Sequence, residues 1–433
     1  MKKTTDQIQE TDMNDIRAMQ EENTGKGQLQ INVTSAADSK PVAEARIAIT
    51  YTGVPESALE SVSTDASGQT DVLELDAPPE EWSLDPANER QPYAEYTLDI
   101  SAPGFEPVSI AGTEILANVK AIQNVRMRPS ETGREEEEVF VIPAHTLYGN
   151  YPPKIAEAEI KPVNESGEIV LSRVVVPEYI VVHDGSPRDT TANNYYVKYK
   201  DYIKNVASSE IYATWPANTI RANVLAIMSF TLNRVYTEWY RNRGYDFTIT
   251  SSTAFDHKWI PERNIYDTIS EIVDELFASY LSRPNVRQPI LTQYCDGRRV
   301  TCPDWMTQWG SKELGDRGMS PIEILRYFYG DDMYINTAEE ISGIPASWPG
   351  YTLEEGSSGE KVRQMQEQLN VISDAYPALP KITADGIYGP ATANAVREFQ
   401  SIFGLPATGK VDYPTWYKIS EIYVGVSRIA ELT

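Results

Sequence analysis

Residues 202–239 read YIKNVASSEIYATWPANTIRANVLAIMSFTLNRVYTEW, two helical patterns joined by a short hinge. In the second pattern Ile220, Val224, Ile227, Met228, Thr231, Leu232 and Val235 recur at helical spacing and predict one apolar stripe facing a core. Pro216 suits the first turn of that helix, where its missing N–H does no harm. The hinge carries Ser209-Glu210 and Trp215-Pro216, and no Lys or Arg stands between Val206 and Ile220. A carboxyl at Glu210, among Ile211, Tyr212 and Trp215, is expected to have a raised pKa and to suit a general acid near neutral pH. The plainer reading of the same residue is a solvated loop glutamate.

The stretch resembles the signature of the SpoIID (stage II sporulation protein D) family, in which Ser-Glu is followed by Trp-Pro and then Arg-Ala, here Arg221-Ala222. Farther on, Met306-Thr307-Gln308-Trp309-Gly310-Ser311 is similar to that family's second motif. GDRGMSPIEILRYFYG, residues 315–330, is similar to its closing helix. The resemblance implies a domain that cuts peptidoglycan glycan chains as a lytic transglycosylase, with Glu210 as the acid and with no metal or cofactor. Gln308 is a candidate to hydrogen-bond a sugar amide or hydroxyl, Trp309 and Tyr212 offer stacking faces, and Tyr294 joins them as a substrate-binding candidate. Each of these serves equally as core packing. The family often carries Gly-His ahead of its second motif; this chain has Thr301-Cys302, so no role of that histidine carries over.

Composition bounds the rest. At 433 residues the chain has room for about three domains, and 41% hydrophobic residues with 26 Tyr supply packed cores. A net charge of -25 argues against nucleic acid, which needs a basic face, and against docking on an anionic membrane. No stretch is long and apolar enough for a membrane span, and the first residues show no apolar core of an export signal. Cys295 and Cys302 admit three readings: a disulfide worth about 2–3 kcal/mol, half of a zinc site, or free thiols around Asp296-Gly297. The chain offers only His145, His183 and His257 as further zinc ligands. Asp256-His257 pairs a carboxylate with an imidazole, yet nothing nearby supplies a nucleophile, and a surface loop pair is the expectation.

Five parts follow along the chain. Residues 1–26 form an acidic tail expected to be disordered. Residues 27–129 alternate as short strands, QLQINV, ARIAITY, QTDVLEL, YTLDISA and IQNVRMR, split by turn clusters such as DASGQ and APGFEP. They predict an antiparallel β-sandwich, and their order resembles transthyretin-like domains. Residues 130–175, with the run Glu135 to Glu138, read as an acidic, protease-accessible linker. Residues 176–345 form the SpoIID-like part, a mixed α/β domain. There VVVPEYIVVH and QPILTQYC are strand candidates and SEIVDELFASYLS a helix.

Residues 350–424 carry GSSGEKVRQMQEQLNVI and then TADGIYGPATANAVREFQSIFGLPATGKVDYPTW. Gly389-Pro390 turns into a helix with Ala395, Val396 and Phe399 inward, and Asp412 is placed to cap a third helix holding Trp416. The pattern resembles the three-helix peptidoglycan-binding family. The fold class is therefore multidomain α+β. The order of parts is similar to SleC-type clostridial spore cortex-lytic enzymes. That resemblance implies peptidoglycan of the spore cortex as substrate and a zymogen deposited from the mother cell and opened by a subtilisin-like protease. An amidase, a muramidase that uses water, and a non-catalytic wall-binding scaffold are the alternatives.

Overall fold

The computed structural model describes residues 24–55, 57, 59–130, 137–161, 171–343 and 348–427. Most of the tail expected over 1–26, and most of the acidic run before Glu138, lie outside the described residues. The alternating segments become β1 (Gly25–Ser35), β2 (Arg46–Tyr51), β3 (Glu60–Ser63), β4 (Leu73–Ala77), β5 (Ala94–Ser101), β6 (Val108–Ile115), β7 (Lys120–Met127) and β8 (Glu138–Val141). One sheet runs β3-β2-β5-β6-β8. The other holds β4-β1-β7, with β1 and β7 parallel from Gln28↔Lys120 to Ser35↔Met127. Period-two alternation drives the inward faces: Leu29, Ile31 and Val33 from β1 and Tyr96, Leu98 and Ile100 from β5 are all buried in one core. Each fully buried aliphatic side chain contributes about 1.5–3 kcal/mol.

The supposed linker is structured where it is described. β8 adds to β6 in parallel, and the Ile142 amide continues the pairing by donating to the Ala111 carbonyl at 2.8 Å. Gly112 makes room for that passage: its φ is +90° and a Cβ there would sit 2.6 Å from the Ile142 oxygen. Residues 155–161 then run beside 288–293. Leu291 donates to the Glu159 carbonyl at 2.9 Å, the Gln293 amide donates to Ile155 at 2.7 Å, and the Glu157 amide donates to Gln293 Oε1 at 2.8 Å. A composition-based reading sees Pro, Gly and Glu there and misses this, because the partners are side chains distant in sequence.

The central unit is built around two helices. A single turn α1 (Glu81–Leu84) precedes them in the sandwich; α2 (Tyr199–Glu210) and α3 (Ala217–Tyr236) follow the three-stranded sheet edge Tyr179–His183 and Asn194–Lys198. The stripe predicted for α3 widens to nearly the whole circumference, since polar residues are buried with the apolar ones. Ser229 Oγ donates to Ile290 O at 2.9 Å, Asn233 Nδ2 to Pro289 O at 2.7 Å and Thr292 Oγ1 to Ala226 O at 2.5 Å. The first two bonds take up the carbonyls of 289 and 290 in place of a strand partner, and the expected strand QPILTQYC shrinks to Tyr294–Cys295. Likewise SEIVDELFASYLS divides: α4 (Asp267–Leu276) ends and Ser279–Ser282 is a strand, paired with Tyr334–Thr337.

α5 (Gln308–Asp316) and α6 (Pro321–Tyr329) complete the unit. Gly315 lets α5 meet α3, for a Cβ there would lie 2.0 Å from Thr219 Oγ1. The C-terminal helices are α7 (Glu360–Ala375), α8 (Pro390–Ile402) and α9 (Tyr413–Ser427). Asp412 caps the last, accepting from the Thr415 amide at 3.1 Å. Two buried glutamines pin the turns: Gln366 accepts from Gly386 N–H and Gln400 from Gly409 N–H, each at 2.8 Å.

The units are tightly joined. Ile265–Tyr266 of the central unit adds to β7 as a further strand. The Arg263 guanidinium meets Glu114 of β6 at 2.7 Å, both buried. Phe277 packs on Tyr413 and Tyr417 of the C-terminal helix.

Candidate functional site

Glu210 is the last residue of α2, not part of a free hinge. The chain turns extended at Ile211 and restarts as α3 after Trp215-Pro216. The side chain is only 3% exposed. Its Oε1 accepts the Lys258 amide at 2.6 Å and its Oε2 accepts the Tyr294 phenol. Burial raises its pKa above the ordinary carboxyl value, while the Lys154 charge, the Tyr294 hydrogen bond and the Lys258 amide pull it back. A solvated loop glutamate is therefore excluded.

Gln308, at the start of α5, donates through Nε2 to the Glu210 carbonyl at 2.8 Å. Its amide nitrogen is spent on holding the end of α2. Tyr294 stands beside it on the cleft wall, with its ring nearly parallel to that of His257 at 5.9 Å. Tyr212 does not line the cleft: it stacks on His145 at 4.5 Å and its edge meets Trp215. Trp309 is half-buried against Trp215 at 4.9 Å, and Trp215 Nε1 donates to Ser83 O of α1 at 2.9 Å. The structure thus brings Glu210, Tyr294 and Gln308 together and leaves Tyr212 and Trp309 in an aromatic cluster with Trp215.

Asp256-His257 is buried, which overturns the surface-pair expectation. Asp256 accepts from Arg234 Nε at 2.7 Å, Tyr240 at 2.6 Å and Thr250 Oγ1 at 2.7 Å. Arg234, in turn, makes a forked pair with Glu157 at 2.6 and 3.0 Å. His257 Nδ1 meets Tyr202 OH at 3.1 Å, and burial, Lys154 and Arg234 together hold its pKa well below the usual value. The pair supports the site from behind.

Cys295 and Cys302 form a disulfide with Cα atoms 6.0 Å apart, the first of the three readings their spacing admits. Within the closed loop Asp296 accepts the amides of Arg298, Arg299 and Val300, folding the segment into a tight turn on the cleft rim. Among the described residues no group of His, Cys, Asp and Glu suits a metal ion.

The cleft holds about 60 Å³ and is walled by Thr146, Tyr151 and Lys154 on one side and Glu210, Tyr294 and Arg299 on the other. That is far below the roughly 300–1,000 Å³ of sites that enclose a small ligand. The wall at 144–154 was invisible to sequence reasoning. Thr146 donates to Ser209 O through its amide at 3.2 Å and its hydroxyl at 3.0 Å, one residue from Glu210. Lys154 donates to the Asp256 carbonyl, and its ammonium lies 5.1 Å from the Tyr294 ring centre and 5.3 Å from that of Phe230.

Comparison with known proteins bears on the C-terminal module. Residues 358–419 match the family described as a putative peptidoglycan binding domain. The zinc D-Ala-D-Ala carboxypeptidase of Streptomyces albus G is 44% identical over 77 residues, 18% of this chain and 28% of that relative. This chain thus matches under a third of that relative's length. Among solved structures, the SleB N-terminal domain is 28% identical, covering 18% of this chain and 99% of its own, at a TM-score of 0.16. The Bacillus anthracis TIE protein is 18% identical over 24% of this chain and 18% of its own, at a TM-score of 0.18. The chain carries a peptidoglycan-binding domain on a mixed α+β, multidomain body, and peptidoglycan is the partner this supports. Among the described residues no helix is long and apolar enough to cross a membrane.

Proposed function

We propose that the chain is a lytic transglycosylase of spore cortex peptidoglycan, with Glu210 as its acid and then its base. The observation that carries this is a buried carboxyl, raised by burial, fixed at a helix end and facing a cleft in a chain with a wall-binding domain. Glu210 protonates the glycosidic oxygen between N-acetylmuramic acid and N-acetylglucosamine as the C1–O bond breaks. Positive charge develops at the anomeric carbon. The muramic C6 oxygen then bonds to C1 and its proton passes to the Glu210 carboxylate, which restores the acid and closes a 1,6-anhydro ring.

This sequence needs one carboxyl. A water-using muramidase normally needs two. The other carboxylate among the described residues of the cleft wall, Asp296, is already committed to three backbone amides. Digestion of purified cortex peptidoglycan and mass spectrometry of the products tests the reading. Anhydro-muramic ends, lighter by one water than reducing ends, support it; reducing muramic ends or free stem peptides reject it.

The chain is proposed further to be a zymogen stored in the spore and opened by a subtilisin-like protease at germination. In support, the segment 144–154 narrows the cleft beside Glu210 and is tethered to the sandwich through β8 and Ile142. A tethered segment has a high effective concentration, roughly millimolar for a short flexible link, so modest contacts suffice to keep it in place. Cutting the tether removes that advantage.

A further inference from the structure

The acid candidate has a partner that its own sequence signature does not contain. Lys154 belongs to the strap ahead of the central unit, yet it is half-buried and lines the same cleft as the Glu210 carboxyl. Tyr294 stands between them: its hydroxyl donates to Glu210 Oε2 while Lys154 lies over its ring face, 5.1 Å from the centre. Among the described residues no carboxylate pairs directly with Lys154, whose hydrogen bond goes to the Asp256 carbonyl.

We propose that Lys154 is a positioning residue for the Glu210 site, a strap-borne ammonium that sets the pH at which Glu210 carries its proton. The inference rests on the reading of Glu210 as the acid.

The other charged and titratable neighbours are already engaged. Lys258 gives Glu210 its backbone N–H, while its ammonium lies over the Tyr151 ring at 5.4 Å and is drawn to Asp184 before Glu210. Arg299 lies over Tyr148 at 5.6 Å, and Asp296 is held by the turn amides. His257, behind Tyr294, is held neutral by burial and by the nearby cations. Arg234 is matched by Asp256 and Glu157. Tyr202 and Tyr294 are both pushed up by burial and remain phenols. Lys154 also feels Asp256 and Glu157, but it is the cation whose charge weighs most on Glu210. After burial, the Lys154 charge is the largest influence on Glu210, ahead of the Tyr294 hydrogen bond and of Lys258.

The sign follows. An acid works while protonated, so its activity falls as pH rises through its pKa. Removing a cation raises that pKa, so the alkaline limb of the profile moves up. An adjacent opposite charge shifts a carboxyl by about 1–3 units, and with Tyr294 interposed the low end, about one pH unit, is expected.

The test compares the full chain with Lys154→Met, Lys154→Arg and Glu210→Gln on solubilised cortex peptidoglycan across pH 5 to 9. Lys154→Met is expected to move the alkaline limb up by about one unit, and Lys154→Arg to leave it within a few tenths. An unmoved limb in Lys154→Met, with Glu210→Gln inactive, overturns the proposal and leaves the acid assignment standing. Should Glu210→Gln retain full activity, the acid assignment itself fails. A thermal double-mutant cycle between Lys154→Met and Glu210→Gln then decides the coupling without reference to activity. Shifts in Tm that are non-additive at pH 7.5 and additive at pH 4 sustain it; additive shifts at both overturn it.

Discussion

Replacing Glu157 by Gln tests whether 154–161 belongs to the central unit. Arg234 is fully buried, and Glu157 receives two of its N–H groups at 3.0 and 2.6 Å and Lys161 at 2.5 Å. Glutamine keeps the shape and one acceptor oxygen but removes the charge from both cations. Asp256 still faces Arg234 Nε at 2.7 Å, so the guanidinium is left half-compensated, not bare. Breaking a buried pair outright costs about 3–5 kcal/mol, and one charge-assisted hydrogen bond about 1.5–3. With Asp256 retained, about 2–4 kcal/mol is expected at pH 7. For a unit of this size each kcal/mol is about 2–4 °C, so the central transition should fall by roughly 4–16 °C.

Burial alone would lift the Glu157 pKa, but Arg234 and Lys161 bring it below its ordinary value. A carboxyl depressed in the folded state contributes stability above its unfolded pKa and loses it as pH falls through its folded one. The gap between wild type and Glu157→Gln should therefore close below about pH 4.5. Trp239, whose ring lies 4.2 Å from Lys161 Nζ and 5.0 Å from the Arg234 guanidinium, makes fluorescence melts a direct readout. A change within about 1 °C at pH 7, or one that persists undiminished at pH 4, would refute the claim that this stretch is part of the folded unit.

Glu210→Gln should lower cortex cleavage by ~10²–10⁴ while leaving Tm and wall binding unchanged, because the amide can accept from Lys258 N–H and donate to the Tyr294 oxygen; wild-type turnover by the purified variant would discard the acid assignment. Residues 350–433 alone should sediment with insoluble peptidoglycan and release nothing from it, since the three helices carry their own core; a fragment that stays in the supernatant while the full chain sediments contradicts this. A chain nicked within 144–153 should degrade cortex faster than the intact one, and equal specific activities would end the zymogen reading.

What was legible in the sequence follows from the range of the interactions. Strands such as β1 and β5 bury every second side chain, so local alternation suffices to read them. β3 and β8 are short edges with exposed or half-exposed side chains and give no such signal. Glu210 and Gln308 stand in motifs that resemblance picks out, but the bond from Gln308 to the Glu210 carbonyl is not legible there. Tyr212 looks like a stacking surface until His145 is seen against it, and His145 comes from a segment whose composition reads as linker. The polar face of α3 misleads in the same way. Asn233, Ser229 and Arg234 suggest a helix half in solvent, whereas each is buried and donates to 155–161 or 288–293.

The two halves of the strap therefore have different fates in any activation by proteolysis. Residues 154–161 supply Glu157 to Arg234, Lys154 to the cleft and five backbone or amide bonds to 288–293. Losing them would strip a buried guanidinium of one of its two carboxylates, a cost the marginal stability of a domain does not readily absorb. Residues 142–153 are held otherwise: Ile142 by the sandwich, Thr146 by Ser209, and Tyr151 by the Ala144 carbonyl within the same segment. Their removal exposes the Glu210 cleft without orphaning a buried charge. Nor does a cut there expel the sandwich by itself, because Ile265–Tyr266 stays paired with β7 and Arg263 with Glu114. On this account the restraint is the short segment over Glu210, the sandwich is the anchor that holds its upstream end, and a chain begun at Val174 would fail by losing Glu157 before it could report on inhibition.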